Sequence, residues 1–209
     1  MSQSRVRVKM CGMTRRDDVA HAIRLGVDAI GLIFYPKSTR YVTIEQAKAL
    51  LETLPPFVDA VAVLVNPDQA LVQQIIAELP IQLLQFHGDE SAAFCQQFNK
   101  PFIKAVQPVS QEHIQQVAKD FASASALLLD TPSEHARGGT GLTFDWGIIP
   151  QQMAKPYILA GGLDEFNVSD AIKQCHPYAV DLCSGIEVSP GIKDHDKMNR
   201  FMAQLKTVY

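Results

Sequence analysis

Short apolar runs recur along the chain, and amphipathic stretches fill the spaces between them. Runs such as Ala29-Ile30-Gly31-Leu32-Ile33-Phe34 and Ala60-Val61-Ala62-Val63-Leu64-Val65 are apolar at both alternations. A strand covered on both faces reads this way, as in a parallel sheet with helices outside it. Eight strands are expected, beginning near Val6, Asp28, Val58, Gln82, Phe102, Ser125, Pro156 and Ala179. Between them apolar residues repeat at i, i+3, i+4 and i+7, as in Ala47, Leu50, Leu51 and Leu54, or Val168, Ala171, Ile172 and Cys175. Each such set is one buried stripe on an otherwise polar helix.

Local signals mark the helix ends. Thr14-x-x-Asp17 opens the first helix with a capping-box pattern, and Gly26 is placed to close it. Thr43-x-x-Gln46 opens the second, and Pro55-Pro56 stops it. Asn66-Pro67 offers the third an N-cap followed by an N1 proline. The fourth helix, around Ser91 to Phe98, and the sixth, near Phe144-Asp145-Trp146, are shorter. Asp164 and Asn167 read as residues of a helix N-terminus. Eight strand–helix units predict a single (β/α)8 barrel filling one domain, residues 1–209. The main rival is a doubly wound open sheet, which often carries Gly-x-Gly-x-x-Gly after its first strand. Here that strand ends in Met10-Cys11-Gly12-Met13-Thr14 instead.

Composition narrows the class further. The chain has 209 residues, 47% hydrophobic and 20% charged, which suits one globular domain with a sizeable core. A net charge of −3 gives no argument for nucleic acid or an anionic membrane as partner. No apolar run approaches the roughly 20 residues of a membrane span. The start, Met-Ser-Gln-Ser-Arg, leads into a strand and not into an apolar signal region. The four cysteines, Cys11, Cys95, Cys175 and Cys183, show neither C-x-x-C nor zinc spacing. Cys95 and Cys175 fall within helical apolar stripes and are expected in the core. A reduced, cytoplasmic protein is expected, a monomer in preference to a homodimer, with no metal and no cofactor.

In such barrels the chemistry sits where strands run into the following helices. Strand one ends in Lys9, Cys11 and Gly12; strand two leads into Tyr35-Pro36-Lys37-Ser38-Thr39-Arg40-Tyr41. Strand four ends in Gln85-Phe86-His87-Gly88. Strand six ends in Asp130 and opens into a loop with Gly138-Gly139-Thr140-Gly141. Strand seven ends in Gly161-Gly162, and strand eight in Asp181-Leu182-Cys183-Ser184-Gly185-Ile186-Glu187. Polar and glycine-rich residues therefore crowd one end of the strands.

Each of these has a bland reading beside the functional one. Cys11 either packs or serves as a base or nucleophile. Gly161-Gly162 and Ser184-Gly185 are either plain turns or backbone cradles for a phosphate, and loops seven and eight are the usual phosphate position in these barrels. Gly141 belongs either to a flexible loop or to a lid that adds donors. Alternation puts Lys9 and Cys11 on one side of strand one, and Gln85 and His87 on one side of strand four. A buried Lys9 needs a partner, with Asp130 and Asp181 as candidates. It is then either a structural ion pair or a group that favours the Cys11 thiolate. His87 is a rim histidine or a ligand contact. Asp130 closes the run Ala126-Leu127-Leu128-Leu129, where an acid is costly unless paired or functional. Arg40 forms a surface salt bridge or offers its planar fork to a substrate carboxylate. A thiol and a carboxyl group at opposite strand ends, with an Arg at one side and a phosphate cradle at the other, suit cofactor-free proton transfer. The partner expected is a small phosphorylated molecule with two anionic ends.

Val8-Lys9-Met10-Cys11-Gly12-Met13-Thr14 resembles the Lys-x-Cys-Gly-[Leu/Ile/Met]-Thr opening of the phosphoribosylanthranilate isomerases. The similarity continues through Gly31 to Val42, Leu84-Gln85-Phe86-His87-Gly88, Leu129-Asp130, Gly138-Gly139-Thr140-Gly141, Leu159-Ala160-Gly161-Gly162-Leu163 and Asp181 to Glu187. Two departures are modest: Phe86 stands where leucine is common, and Cys183 where serine or asparagine is common. The resemblance implies a (β/α)8 barrel and an Amadori rearrangement in tryptophan biosynthesis. It implies Asp130 as general acid at the furanose ring oxygen and Cys11 as general base at C2. It also implies Arg40 on the anthranilate carboxylate, and amides around Gly162, Ser184 and Gly185 on the phosphate. Neighbouring sugar-phosphate barrels, the histidine-pathway isomerases and indole-glycerol-phosphate synthase, read instead with paired aspartates or with Lys and Glu. A catalytically silent binding barrel would be expected to lose Cys11 or Asp130.

Overall fold

Every apolar run forms one strand of a closed, all-parallel barrel. The computed structural model describes residues 5–131 and 144–208. The strands are β1 (Arg7–Cys11), β2 (Ala29–Ile33), β3 (Asp59–Leu64), β4 (Leu83–Phe86), β5 (Phe102–Val106), β6 (Ala126–Leu129), β7 (Tyr157–Leu159) and β8 (Ala179–Leu182). They pair in chain order, and β8 closes on β1. Between them run α1 (Arg16–Leu25), α2 (Ile44–Leu51), α3 (Gln69–Glu78), α4 (Ala92–Gln96), α5 (Gln111–Asp120) and α6 (Val168–Cys175), and α7 (His195–Lys206) ends the chain. Among the described residues, the β6–β7 connection carries only a 3₁₀ turn, Trp146–Ile148, where a short helix was expected. The fold is a (β/α)8 TIM barrel.

Alternation along the strands separates two apolar layers. Outward side chains such as Met10, Ile30, Leu84, Leu127 and Val180 meet the helices in the larger core. Inward ones, among them Ile103, Ala105, Ala126, Leu128, Ile158 and Ala160, form a smaller plug. The plug is rich in alanine, and the interior also holds buried polar groups: Lys9, Gln85 and Asp181. This parallel register sets Lys9 opposite Asp181 across β1 and β8.

The helix ends match the expectations in part. Thr43 and Gln46 form the reciprocal capping box of α2, and Gly26 ends α1 in the left-handed conformation at φ +81°. Two expected caps are corrected. The N-cap of α1 is Arg15, without a side-chain bond, because the Thr14 hydroxyl donates to the Gly191 carbonyl instead. The N-cap of α3 is Asp68, whose carboxylate accepts from Leu71 N at 2.7 Å. Asn66 is drawn out of the helix by Glu90 and Asp89: its N–H donates to Glu90 Oε1 at 2.8 Å, and its Oδ1 accepts from Asp89 N at 2.7 Å. Helix α2 also ends at Leu51, before Pro55-Pro56. Beyond β8 the chain makes a 3₁₀ turn (Ser184–Ile186) and a small antiparallel hairpin, β9 (Glu187–Ser189) with β10 (Ile192–Lys193), which the apolar pattern did not anticipate. Among the described residues no helix is long and apolar enough to cross a membrane.

Candidate active site

The carboxyl ends of the strands surround a pocket lined by Cys11, Arg40, Gln85, His87, Asp130, Gly161, Gly162, Asp181, Cys183, Ser184 and Gly185. All the site residues expected from the sequence meet here except two. Lys9 lies one layer deeper, and Gly141 falls outside the described residues. Ile33, Val63 and Ala160 supply the apolar wall.

On one side stands Cys11, buried at the end of β1. Below it the Lys9 ammonium donates to Asp181 Oδ1 at 2.9 Å. Asp181, not Asp130, is therefore the partner of Lys9. Burial opposes charge on Lys9, but Asp181 and Cys11 together outweigh it and hold the ammonium above its usual range. Gly31 makes the close packing feasible: a Cβ there would sit 2.7 Å from the Cys11 sulfur and 3.1 Å from Lys9 Nζ. The Cys11 thiol is held well below its ordinary range. A hydrogen bond from Cys183 is the largest cause, and the positive fields of Lys9 and Lys193 add to it against burial. Asp181 is pushed the other way by burial, with Lys9 opposing and Cys11 adding to the rise. Cys11 and Asp181 thus share one ammonium.

Across the pocket, Asp130 closes β6. Its Oδ1 accepts from Thr131 N at 2.9 Å, and its Oδ2 lies 3.1 Å from His87 Nε2. His87 Nδ1 in turn lies 2.9 Å from the Gln85 amide nitrogen. Gln85 and His87, two residues apart on one side of β4, form a file of polar groups ending at Asp130. With the amide as oriented, Gln85 donates to Nδ1, so Nε2 carries the proton and donates to Asp130. The buried Gln85 Oε1 then has no partner among the described residues.

Arg40 reaches the rim from the loop after β2. Its Nε and Nη2 grip Glu187 in a two-pronged pair, at 2.9 Å to Oε1 and 2.6 Å to Oε2. The salt bridge that was one of the two readings of Arg40 is therefore present, but largely buried and not on the surface. Glu187 also takes Lys193 Nζ at 2.9 Å. Burial works against its charge, but Arg40 and Lys193 outweigh it and keep the carboxyl below its usual range. Glu187 and Lys193 were not singled out from the sequence. They come from the β9–β10 hairpin, which holds Arg40 through Glu187.

The glycine loops close the remaining side. Gly161 and Gly162 adopt φ +84° and +66°, and a Cβ on Gly161 would run into Thr131. Asn167 Nδ2 donates to the Gly162 carbonyl at 2.8 Å, while Asp164 Oδ1 accepts from Asn167 N at 3.1 Å. Gly185 approaches so closely that a Cβ would strike the Leu163 carbonyl. Loops seven and eight thus meet backbone to backbone, an approach that only glycine allows.

A (β/α)8 barrel with a buried thiol, a carboxyl group and a glycine-built corner around one mouth, at the carboxyl ends of its strands, has the layout of the (β/α)8-barrel enzymes. Comparison with known proteins gives the family. A family model described as N-(5'phosphoribosyl)anthranilate (PRA) isomerase matches residues 8–204. N-(5'-phosphoribosyl)anthranilate isomerase of Legionella pneumophila (strain Lens) is 66% identical over 202 residues, covering 97% of this chain and 98% of that protein. The crystal structure of phosphoribosyl anthranilate isomerase from Thermotoga maritima superposes with a TM-score of 0.89 at 35% identity, covering 97% of this chain and 99% of that one. A further structure of such an isomerase, in complex with reduced 1-(o-carboxyphenylamino)-1-deoxyribulose 5-phosphate, matches at a TM-score of 0.82 and 33% identity, covering 97% and 99%. The chain belongs to the N-(5'-phosphoribosyl)anthranilate isomerase family and is an isomerase.

Proposed function

We propose that this protein converts N-(5-phosphoribosyl)anthranilate to 1-(2-carboxyphenylamino)-1-deoxyribulose 5-phosphate, with Asp130 as general acid and Cys11 as general base. The observation that carries the assignment is the pairing of these two buried groups across one pocket, each held by its own set of partners. Asp130 donates a proton to the ribose ring oxygen, the C1–O bond breaks, and the ring opens to a Schiff base. Cys11 then takes the C2 proton. The electron pair moves into an enolamine, which tautomerises to the ketone. The bound product analogue of the structural relative has the same two anionic ends as the substrate proposed here.

The polar file beside Asp130 suits the acid role. Turning the Gln85 amide over gives its buried oxygen a donor, His87 Nδ1–H, and makes Nε2 the acceptor. Asp130 then holds the proton it has to give. A turn of one amide thus lets the file accommodate both protonation states of Asp130. Arg40, already turned by Glu187, offers its remaining Nη1 to the anthranilate carboxylate. Backbone amides around Gly162, Ser184 and Gly185 take the phosphate, with Gly161 and Gly141 shaping the approach. A cytoplasmic location goes with this reading, since a thiol base works only while reduced.

The test is turnover of Cys11→Ser and Asp130→Asn, followed by the loss of anthranilate-adduct fluorescence. Each should lower kcat by about 10²- to 10⁴-fold while leaving the circular dichroism spectrum unchanged. A variant that kept near-wild-type kcat would remove its residue from the mechanism.

A further inference from the structure

Cys11 has a sulfur neighbour, Cys183, that takes no proton in that chemistry. The β1–β8 register pairs Lys9 with Asp181 and Met10 with Leu182. Cys11 is the last residue of β1, and Cys183 is the residue immediately after β8. Both line the same pocket. The two thiols hydrogen-bond to each other, and the paired strands that carry them lie ~4.8 Å apart, inside the ~4.4–6.8 Å Cα separation that a disulfide spans. A Cβ on Gly12 would lie 3.0 Å from the Cys183 sulfur, so that thiol lies against the residue next to Cys11. Both cysteines are free.

We infer that Cys11 and Cys183 form a reversible redox pair, in which a hydroperoxide oxidises Cys11 and Cys183 resolves it to a disulfide that switches the enzyme off. The Cys11 thiolate attacks the peroxide. An S–O bond forms, the O–O bond breaks, and the departing hydroxide leaves as water after taking a proton from solvent. Cys183 then attacks the Cys11 sulfenic sulfur. The S–S bond forms, the S–O bond breaks, and the leaving hydroxide takes the Cys183 proton as a second water. Two thiols lose two electrons, and one hydrogen peroxide is reduced.

The surroundings favour this pair over the other two cysteines. Cys11 stands among Lys9, Lys193 and Arg40, and, though largely buried, it lines the pocket through which a small peroxide would reach it. Burial pushes Cys95 up to about 12 and Cys175 up to about 11, which suppresses their thiolates. A disulfide at Cys11 removes the lone pair that would take the C2 proton, so inactivation rests on the base role proposed above, whereas formation of the bond does not.

The test is hydrogen peroxide treatment of the full-length protein, read by thiol titration, peptide mapping and turnover. Thiols titrated after unfolding should fall from four to two, with a single cross-linked peptide pair joining Cys11 to Cys183. Turnover should fall about a hundredfold or more in step with it, and dithiothreitol should restore both. In Cys183→Ser, dimedone should trap a Cys11 sulfenic acid, and prolonged peroxide should cause a loss that dithiothreitol does not reverse. Oxidation of Cys11 to sulfinic acid with Cys183 still free in wild type would overturn the pair, as would a cross-link through Cys95 or Cys175. A Cys11–Cys183 cross-link that left turnover intact would uphold the pair and remove Cys11 as the base.

Discussion

Replacing Lys9 by methionine tests how the thiol is activated. Lys9 Nζ and the Cys11 sulfur both lie within 3.1 Å of one point, the place where a Gly31 side chain would begin. Their charges are therefore no more than about 6 Å apart, and at an effective dielectric near 20 such a pair is worth roughly 3 kcal/mol. That corresponds to about two pKa units. Part of it is returned, because Asp181 loses its partner and takes up a proton, which removes a negative charge beside Cys11. The expected result is a Cys11 pKa raised by about one to two units. The base must be deprotonated to act, so kcat/KM rises with pH through the Cys11 pKa. In wild type that limb falls below the ordinary thiol range near 8.5; in Lys9→Met it moves up toward it. The assays are the ultraviolet titration of the thiolate and the pH dependence of kcat/KM, in both proteins.

A structural role alone predicts something else. Stripping Lys9 from a buried pair costs about 3–5 kcal/mol of stability, with no shift in the limb. Lys9→Met with Asp181→Asn separates the two effects. It removes the unpaired carboxylate and should recover most of the stability, but it leaves the thiol without its ammonium, so the limb stays shifted. A double variant with a wild-type limb would refute the idea that Lys9 tunes Cys11.

Three further changes probe the supports of the site. Glu187→Gln releases Arg40 from its two-pronged grip and leaves Lys193 facing it; KM should rise about tenfold, or 1.4 kcal/mol, with a smaller change in kcat, measured by initial rates. Gly185→Ala drives a Cβ into the Leu163 carbonyl, so loops seven and eight must part. Substrate KM and the inhibition constant of inorganic phosphate should both rise at least about tenfold, and an unchanged phosphate constant would argue against this corner as the anion site. Thr43→Ala removes one half of the α2 capping box and should cost about 1 kcal/mol in urea unfolding without altering kcat.

Much of the barrel could be read from the chain because its signals are local. A run such as Ala60 to Val65 carries its own evidence of double-sided burial, and eight such runs in order leave few topologies open. Where a residue's partner is distant, local reading fails. Thr14 looks like a cap, yet its hydroxyl goes to Gly191. Asn66 looks like another, yet Glu90 and Asp89 hold it outside the helix. The β9–β10 hairpin is too short to show an apolar period, so Glu187 passed as one more polar residue at a strand end. Its meaning depends on Arg40, 147 positions earlier. Cys183 stood out only as a departure from a familiar pattern.

The same limit explains why Lys9 looked like a choice between two roles. Alternation along β1 puts Lys9 and Cys11 on one side, but only the closed β1–β8 register brings Asp181 beside them. One ammonium then faces two acids. Neutralising the barrel floor and favouring the thiolate draw on the same charge: the more Lys9 is engaged by an ionised Asp181, the less field remains for Cys11. The upward push on Asp181 from burial and from Cys11 weakens the carboxylate's claim, and that concession leaves Lys9 available to the thiol. Replacing Asp181 alone by Asn should therefore lower the Cys11 pKa further, opposite in sign to the loss of Lys9. Thiolate titration of that single variant checks the competition, and an upward shift would show that the carboxylate helps the base instead of competing with it.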